Sequence, residues 1–262
     1  MPRPAKQRKS LGQNWLIDPG FRDRVLAAAN VQETDEVLEI GPGPGTLTEG
    51  LAETGARLVA VELDSRLAAQ LRRRFATRPN VEIVKGDILR TDLRSFFPHG
   101  GEIVVGNIPY YLTGALLPKL LDAPPRPRRI SLLVQREVAE RWTAPTGAST
   151  ATVAVQLYTE ARLVLHVPAA AFDPQPKVDS ALVVMEVRPV PALDLEDARA
   201  FLAFVERVFQ FRRKQLAGSL PRVTGLPAEE ITARLQALDI DPHRRPQTLT
   251  LEEWGSVYQR IG

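Results

Sequence analysis

The stretch VLEIGPGPGTLTEGL, residues 37–51, consists of a short apolar run, a glycine-rich turn and a pattern typical of the start of a helix. Gly41, Gly43 and Gly45 carry no side chain that would hold a ligand away from the backbone, and the N-terminus of the following helix offers unpaired N–H groups. This strand, turn and helix is found in proteins that bind NAD, FAD or S-adenosylmethionine, and by itself it does not distinguish among them. A tight turn without a ligand can have the same pattern.

Around this stretch, short apolar runs alternate with helical patterns from residue 35 to residue 187, which predicts an α/β domain with a mainly parallel sheet. The predicted strands are 36–40, 57–62, 81–85, 102–106, 129–135, 162–167 and 180–187, with helical patterns such as 46–54, 65–76 and 136–142 between them. The link between the last two strands is too short and proline-rich for a crossover helix. It favours a hairpin-like connection and an antiparallel strand in the sheet.

The pattern changes after the proline-containing stretch RPVPALD, residues 188–194. Beyond it only helical patterns follow, at roughly 194–211, 213–220, 227–238 and 250–260. The sequence therefore predicts two domains: an α/β domain over 1–189, which includes a basic N-terminal segment, and a small all-α domain over 190–262.

Composition excludes several classes of protein. Of the 262 residues, 44% are hydrophobic and 25% are charged, which is ordinary for a globular protein, and no apolar run approaches the roughly 20 residues of a membrane span. The basic N-terminus is not followed by the apolar region of a secretory signal. The chain has no cysteine, and its three histidines lack metal-ligand spacing, so we expect no disulfide, no metal site and a cytoplasmic location.

Positive charge is clustered, although the net charge is only +3. The first nine residues carry four positive charges, and further basic runs lie at 71–75, 124–129, 211–214 and 243–245. Such patches suit a polyanion such as nucleic acid. Solvated arginine-rich faces would look the same, so charge alone does not decide between the two.

Acidic residues follow the second and third predicted strands, where the carboxyl ends of parallel strands lie at one edge of a sheet. Glu62 stands 21 residues beyond Gly41 and can accept hydrogen bonds from both ribose hydroxyls of an adenosine-containing cofactor; a helix-capping or solvent-facing acid is the alternative. Asp87 is placed to accept from an adenine amino group, and Ile88 to pack against the ring. The Lys, Tyr or His constellation expected in a dehydrogenase is not apparent.

The heptapeptide GNIPYYL, residues 106–112, ends the fourth predicted strand and favours methyl transfer to a planar nitrogen. The exocyclic N6 of adenine is a poor nucleophile because its lone pair is delocalised into the ring. The side-chain carbonyl of Asn107 and the main-chain carbonyl of Ile108 can grip its two hydrogens and favour the pyramidal form. Pro109 stiffens the turn, and Tyr110 would stack on the base. The sequence thus predicts catalysis by positioning and electrostatics without a strong general base.

A base can present N6 in this way only when it is single-stranded or flipped out of a helix. The loop and strand at 170–183 offer Phe172 as a second stacking face for the base. Phe172 also fits a core or loop-anchoring role, which is the commoner one for a single phenylalanine.

Taken together, these motifs resemble those of the ribosomal RNA adenine N6,N6-dimethyltransferases. Six stretches occur in the order and spacing of that family: KSLGQNWLID (9–18), EIGPGPGTLT (39–48), VELD (61–64), KGDIL (85–89), GNIPYYLT (106–113) and FDPQPKVDSALV (172–183). The resemblance runs from about residue 6 to the last helix. Within the family, FQFRRKQL (209–216) and DPHRRPQTLT (241–250) are similar to the bacterial 16S branch.

The resemblance implies a Rossmann-like class I S-adenosylmethionine-dependent methyltransferase domain with a seven-stranded sheet, and a helical domain that helps dock on the ribosomal particle. The implied cofactor contacts are Asn14, Leu16, Gly41, Glu62, Asp87 and Asn107, and the implied stacking pair is Tyr110 and Phe172. The implied substrate is a pair of adjacent adenosines near the 3′ end of 16S rRNA, within the 30S subunit or its precursor. Arg212, Arg213 and Lys214 are expected to contact RNA, and the protein is expected to be a monomer without membrane association.

Two positions depart from the family pattern, and three other readings stay open. Trp15 stands where Phe is usual, and Tyr111 is a second phenol without an assigned role. The rival functions are a 23S rRNA dimethyltransferase of the antibiotic-resistance type, a non-catalytic assembly or transcription factor, and an NAD oxidoreductase. The run FRRK and the C-terminal helices argue against the first rival, and the intact Asn-Ile-Pro-Tyr argues against the second.

Overall fold

The computed structural model describes residues 13–109, 112–121 and 125–262. The strands are β1 (Trp15–Leu16), β2 (Glu36–Ile40), β3 (Arg57–Glu62), β4 (Val81–Lys85), β5 (Ile103–Asn107), β6 (Arg129–Gln135), β7 (Thr159–Val167), β8 (Phe172–Asp173) and β9 (Ser180–Val187). The helices are α1 (Pro19–Ala29), α2 (Thr46–Glu53), α3 (Ser65–Arg74), α4 (Thr113–Leu121), α5 (Arg136–Trp142), α6 (Thr150–Tyr158), α7 (Ala198–Phe209), α8 (Leu216–Thr224), α9 (Ala228–Gln236) and α10 (Leu251–Ile261).

Seven strands form one sheet in the order β4-β3-β2-β5-β6-β9-β7, which confirms the predicted mainly parallel sheet. The neighbours from β4 to β6 pair in parallel, and β9 pairs antiparallel with β6, as the short proline-rich link indicated. The inner strands are buried on both faces: Ile103, Val104 and Val105 are fully inaccessible. Strands of this kind read as continuous apolar runs rather than as alternating patterns.

The strand order reverses at β2, which has β3 on one side and β5 on the other. In open α/β sheets of this kind, ligands bind in the crevice outside the carboxyl ends of the strands at such a switch point. The predicted strand 102–106 lies one residue later in the structure, so Asn107 is the last residue of β5 and pairs in register with Leu133 of β6. The candidate catalytic amide is therefore held by the sheet itself.

A second, two-stranded sheet joins distant parts of the chain. Strand β1 pairs antiparallel with β8, with Trp15 opposite Asp173 and Leu16 opposite Phe172. The backbone N–H of Ile17 continues the pairing by donating to the carbonyl of Ala171 at 2.9 Å. The sequence analysis predicted no strand in either segment, because a two-residue strand has no periodicity to detect.

The chain divides into two compact units. The first contains the described residues up to Ala139 together with Ala161–Val187, and the second contains Glu140–Glu160 and Arg188–Gly262. The predicted division at 189/190 put 140–160 in the α/β domain, whereas these residues group with the C-terminal helices. Helix α6 packs against α7 and α10 in the second unit, and the main-chain N–H of Arg188 donates to the carbonyl of Tyr158. Such tertiary packing leaves no local sequence signal.

The second unit has its own apolar core. Trp254 of α10 is fully buried, and its ring lies 5.6 Å from that of Phe209 of α7, measured between centroids. Helix α10 begins with a capping box, in which the side chain of Thr250 accepts from the N–H of Glu253 and the Glu253 carboxylate accepts from the N–H of Thr250. Reciprocal caps of this kind fix where a helix starts.

Within the described ranges, no helix is both long enough and apolar enough to span a membrane. The same residues contain no group of three or more His, Cys, Asp or Glu side chains that could hold a metal ion.

Candidate active site

The glycine-rich turn after β2 follows a left-handed backbone path. Gly41, Gly43 and Gly45 have φ angles of 66°, 59° and 92°, a region in which residues with a side chain are strained. A Cβ on Gly41 would meet no atom within 4 Å, because the position faces open space, whereas a Cβ on Gly45 would lie 2.8 Å from Leu71 of α3. Gly41 thus keeps a space open, and Gly45 allows close packing of α3.

A cavity of about 240 Å³ opens at the carboxyl ends of the central strands. Most of the predicted cofactor contacts line it: Asn14, Leu16, Gly41, Gly43, Glu62, Asp87, Ile88 and Asn107. The predicted catalytic residues Ile108, Pro109 and Phe172 line it as well. Gly45 was also predicted to bind the cofactor, but it is not among the described residues that line the cavity. Its lack of a side chain instead allows Leu71 of α3 to pack closely against the turn. Tyr110 and Tyr111 lie outside the described residues.

Glu62 is buried at the end of β3, and both of its carboxylate oxygens are anchored by the backbone. One accepts from the N–H of Gly43 at 3.0 Å and the other from the N–H of Asp64 at 2.8 Å. Burial raises the pKa of Glu62, although these two backbone hydrogen bonds act in the opposite direction. Each oxygen keeps a further lone pair that can accept from a ribose hydroxyl. The cap of α3 is instead Asp64, which accepts from the N–H of Arg66, so the helix-capping alternative for Glu62 does not apply.

Asp87 and Ile88 lie side by side beyond β4. One Asp87 carboxylate oxygen accepts from the N–H of Leu89 at 3.0 Å, which fixes the side chain in a turn. The other oxygen lies 3.8 Å from the exposed guanidinium of Arg90, a separation at which an exposed pair contributes little. Ile88 is buried against the cavity. An acceptor beside an apolar surface is an arrangement that can hold an adenine ring.

The orientation of the Asn107 amide follows from its partner. Its Nδ2 donates to the main-chain carbonyl of Asn14 at 2.8 Å. A carbonyl can only accept, so the nitrogen must face Asn14, and Oδ1 is the atom left to accept from a ligand. The N–H of Ile108 donates to the carbonyl of Leu133 at 3.0 Å, which holds the residue after the strand in place. Among the described residues, no hydrogen bond to the Ile108 carbonyl is present, so it too can accept.

The position of Phe172 is compatible with both roles that the sequence left open, and the stacking role stays a prediction. Its side chain is 3% exposed and belongs to the apolar cluster that contains Leu16 and Ala171, and it also lines the cavity. Pairing between β1 and β8 therefore connects the Phe172 ring to the segment that holds Asn107 through Asn14. Residues from three distant parts of the chain meet at one cavity wall.

Glu39 is a cavity residue that the sequence analysis did not single out. It is the next-to-last residue of β2, is 1% exposed and lines the cavity. Burial raises its pKa to about 8; Thr48 acts to lower it, and the charge of Glu62 raises it further. Its Oε2 has no hydrogen-bond partner among the described residues. The sequence signal that could have indicated Glu39 is a single acidic residue inside the apolar run VLEI.

The predicted RNA contacts form an exposed basic turn in the second unit. Arg212, Arg213 and Lys214 lie between α7 and α8, and no ion pair joins them to an acid among the described residues. The N–H groups of Leu216 and Ala217 donate to the carbonyls of Arg244 and Pro242 at 2.8 and 3.1 Å. These bonds bring the loop 241–246 beside the basic turn.

That neighbouring loop adds two exposed basic side chains, His243 and Arg245. His243 approaches Gln215 of the basic turn, with 3.3 Å between Nδ1 and Oε1. Arg244 is instead paired with Glu253, with 2.8 Å between its Nη2 and the carboxylate. The basic turn and the loop thus form one surface, which we call the basic surface: Arg212, Arg213, Lys214, His243 and Arg245.

A seven-stranded sheet with β9 antiparallel, and a cavity at the switch point of β2, together define a Rossmann-like class I S-adenosylmethionine-dependent methyltransferase. The sequence model of the family described as ribosomal RNA adenine dimethylase matches residues 5–261. The chain belongs to this family, whose cofactor is S-adenosylmethionine.

Several relatives carry the name Ribosomal RNA small subunit methyltransferase A. The protein of this name from Alkaliphilus oremlandii (strain OhILAs) is 37% identical over 266 residues, which cover 98% of this chain and 92% of that protein. The one from Geobacillus thermodenitrificans (strain NG80-2) is 39% identical over 263 residues, covering 95% of this chain and 89% of that protein. The predicted family is therefore confirmed.

Two solved structures share the fold over nearly the whole chain. The 23S rRNA methyltransferase ErmE has a TM-score of 0.75 and 30% identity, and the match covers 95% of this chain and 99% of ErmE. A dimethyladenosine transferase from Plasmodium falciparum has a TM-score of 0.77 and 25% identity, covering 92% of this chain and 95% of that chain.

Proposed function

We propose that the protein transfers methyl groups from S-adenosylmethionine to N6 of two adjacent adenosines near the 3′ end of 16S rRNA, within the 30S subunit or its precursor. The orientation of Asn107 carries this proposal, because its Nδ2 donates to Asn14 and its side-chain carbonyl oxygen is left as an acceptor in a residue that lines the cavity. The names of the relatives, which specify the small subunit, support the choice of 16S rRNA.

The residues of the cavity fit the cofactor. Gly41 leaves room beside the backbone, Glu62 has lone pairs for the ribose hydroxyls, and Asp87 and Ile88 can hold the adenine. Asn14 and Leu16 close the cavity on the side of β1. When bound, S-adenosylmethionine supplies an electrophilic methyl group on a cationic sulfur.

The catalytic role belongs to two carbonyls at the end of β5. Oδ1 of Asn107 and the main-chain carbonyl of Ile108 accept the two N6 hydrogens, which favours the pyramidal nitrogen and frees its lone pair. Both dipoles also stabilise the positive charge that develops on N6 in the transition state. The proton becomes acidic once the methylated amine is cationic, so no strong general base is needed. Pro109 restricts the backbone of Ile108 and keeps its carbonyl aimed.

The target base must be unpaired to reach these carbonyls. Phe172 supplies one stacking surface from the cavity wall, and Tyr110 supplies the other in this proposal. Stacking of a base on an aromatic ring contributes about 1–3 kcal/mol and does not depend strongly on which base is bound. The two acceptors require an exocyclic amino group, so they exclude uracil from the site.

Docking on the ribosomal particle is assigned to the C-terminal helical domain, residues 190–262, through Arg212, Arg213 and Lys214 of the basic surface. These side chains are exposed and have no acidic partner among the described residues, so they are available to phosphates. His243 and Arg245 extend the same surface. Because the proposed substrate is an assembling 30S particle, we place the protein in the cytoplasm, as a monomer.

We expect the double reversal Arg212→Glu and Arg213→Glu to weaken binding to the 30S particle in a salt-dependent way. Removing one phosphate contact should reduce the slope of log K against log salt by about 0.7–0.9. Filter binding between 50 and 300 mM salt measures that slope. The matched control is Arg73→Glu with Arg78→Glu, which changes net charge equally at two exposed arginines of the first unit. A slope that changes as much in the control as in the test variant would remove Arg212 and Arg213 from the footprint.

The direct test is transfer of labelled methyl groups to unmethylated 30S and 50S particles, followed by nuclease digestion. Dimethyladenosine from 16S rRNA alone is the expected result. The likeness to ErmE makes 23S rRNA the second candidate, and label in the 50S particle would favour it. Binding to 30S without transfer to either particle would favour a non-catalytic assembly factor.

A further inference from the structure

A buried carboxyl group in the cavity has no role in the mechanism above. Glu39 is 1% exposed, and its Oε2 has no hydrogen-bond partner among the described residues although it belongs to the cavity lining. An unpartnered buried polar atom costs about 1–3 kcal/mol, so it is retained where a ligand can use it. The strand could accommodate an apolar residue at this point, as it does at its neighbours Leu38 and Ile40.

Among the described residues, the groups that act on the Glu39 carboxyl include no cation that would favour its charged form. Glu62 of β3 is the charged group that acts on it, and the effect is repulsive, while Thr48 of α2 acts to lower its pKa. In the cofactor-free protein, burial and Glu62 therefore keep the Glu39 carboxyl protonated at neutral pH, since its pKa is raised to about 8.

Cofactor and product differ in charge in a way that such a carboxyl can detect. S-adenosylmethionine carries a sulfonium and an ammonium against one carboxylate, whereas S-adenosylhomocysteine has lost the sulfonium charge. A cation placed in the same poorly solvated cavity favours ionisation of a nearby carboxyl. S-adenosylmethionine, which carries the extra positive charge, must therefore favour ionisation of this carboxyl more than S-adenosylhomocysteine does.

We propose that Glu39 couples cofactor binding to the release of one proton, and that its ionisation makes the cavity prefer cationic S-adenosylmethionine over S-adenosylhomocysteine. The O–H bond of the Glu39 carboxyl breaks, the proton passes to solvent and the carboxylate remains beside the bound cation. Methyl transfer removes the sulfonium charge, so the carboxylate recovers a proton and the product is bound less tightly. The inference rests on the cofactor of the proposed function and not on the RNA substrate.

The pH dependence follows from linkage. If only the ionised form of Glu39 binds the cofactor well, the affinity for S-adenosylmethionine rises with pH until the pKa of the empty cavity is passed. With that pKa at about 8, the dissociation constant should fall about 20-fold between pH 6.5 and pH 8.5. The fall should be several-fold smaller for S-adenosylhomocysteine.

Titration calorimetry on the full chain without RNA tests this directly. Binding is measured at pH 7 in two buffers of different ionisation enthalpy, which gives the number of protons released. We expect S-adenosylmethionine to release close to one proton more from the wild type than from Glu39→Gln. We also expect the 20-fold pH effect to be lost in that variant. Comparison between the two proteins cancels the titration of the ligand's own amino group.

Two controls keep the result interpretable. 5′-methylthioadenosine lacks the sulfonium and the amino acid portion, so it should bind wild type and Glu39→Gln equally at all pH values if the variant is folded. In the wild type alone, S-adenosylmethionine should release more protons than S-adenosylhomocysteine, which needs no variant. Equal proton counts for these two ligands would overturn the inference while leaving the proposed function intact. No binding of S-adenosylmethionine at all would count against the proposed function and the inference together.

Discussion

Replacement of Asn107 by alanine is expected to lower the rate of methyl transfer at saturating cofactor by about 100- to 1000-fold. The variant removes one of two acceptors that hold N6, and loss of one preorganised group of this kind costs about 100- to 1000-fold in rate. It also removes the partner of the Asn14 carbonyl, which joins positions 93 residues apart in the sequence. Single-turnover transfer to 30S particles measures the effect, and binding to the particle should change little.

Two variants separate the acceptor role from other effects. Asn107→Asp keeps an acceptor, but a carboxylate oxygen would face the Asn14 carbonyl in place of the N–H that now lies 2.8 Å away, so we expect it to be impaired as well. Asn14→Ala keeps the main-chain carbonyl that orients Asn107, so it should raise the KM for the cofactor more than it lowers kcat. Full activity of Asn107→Ala would show that Asn107 does not activate N6.

The second large effect concerns the stability of the cofactor-free protein, which we expect to fall with rising pH because of Glu39. The pKa of this carboxyl is about 8 in the folded chain, against an ordinary value of 4.5. The unfolded chain therefore loses the proton first as pH rises, and the folded state is progressively disfavoured between these two values. Relative to Glu39→Gln, the wild type should lose about 3 kcal/mol of unfolding free energy between pH 5 and pH 8.

Urea unfolding at pH 5, 6.5 and 8 measures this difference, without cofactor present. The matched control is Glu82→Gln, which removes an exposed carboxyl from β4 in the same unit. We expect its stability to follow the wild type across the range. Parallel curves for wild type and Glu39→Gln would mean that Glu39 is ionised in the empty cavity.

The sheet was predictable because its strands are buried on both faces and therefore read as apolar runs bounded by glycine, proline and charge. The placement of Glu62 and Asp87 at the cavity was also predictable, because the carboxyl ends of parallel strands meet at one edge of the sheet. The glycine turn indicated the position of the cavity. These inferences need only local pattern and the topology of an α/β sheet.

The parts that escaped prediction depend on contacts between distant residues. Nothing local in Trp15 and Leu16 indicates that they pair with β8, and nothing in 140–160 indicates that this segment groups with the C-terminal helices. Gly45 was predicted to contact the cofactor, but a side chain at this position would collide with Leu71 of α3. The glycine is therefore explained by packing between distant residues. Glu39 could not be predicted as a cavity residue, because a single acid near the end of an apolar run is also what an ordinary strand end looks like.

The two-stranded ribbon of β1 and β8 has a consequence for biosynthesis. Strands β2 to β6 can pair with one another as they leave the ribosome, but β1 has no partner until β8 has been made. Contacts of such long sequence separation form late because the intervening chain must first be ordered. The Asn14 carbonyl reaches Asn107 from the segment that this late pairing fixes. A nascent or truncated chain that ends before residue 173 would thus have the parallel strands β2 to β6 but neither β8 nor β9, and no finished catalytic wall, which makes activity a reporter of complete synthesis of this unit.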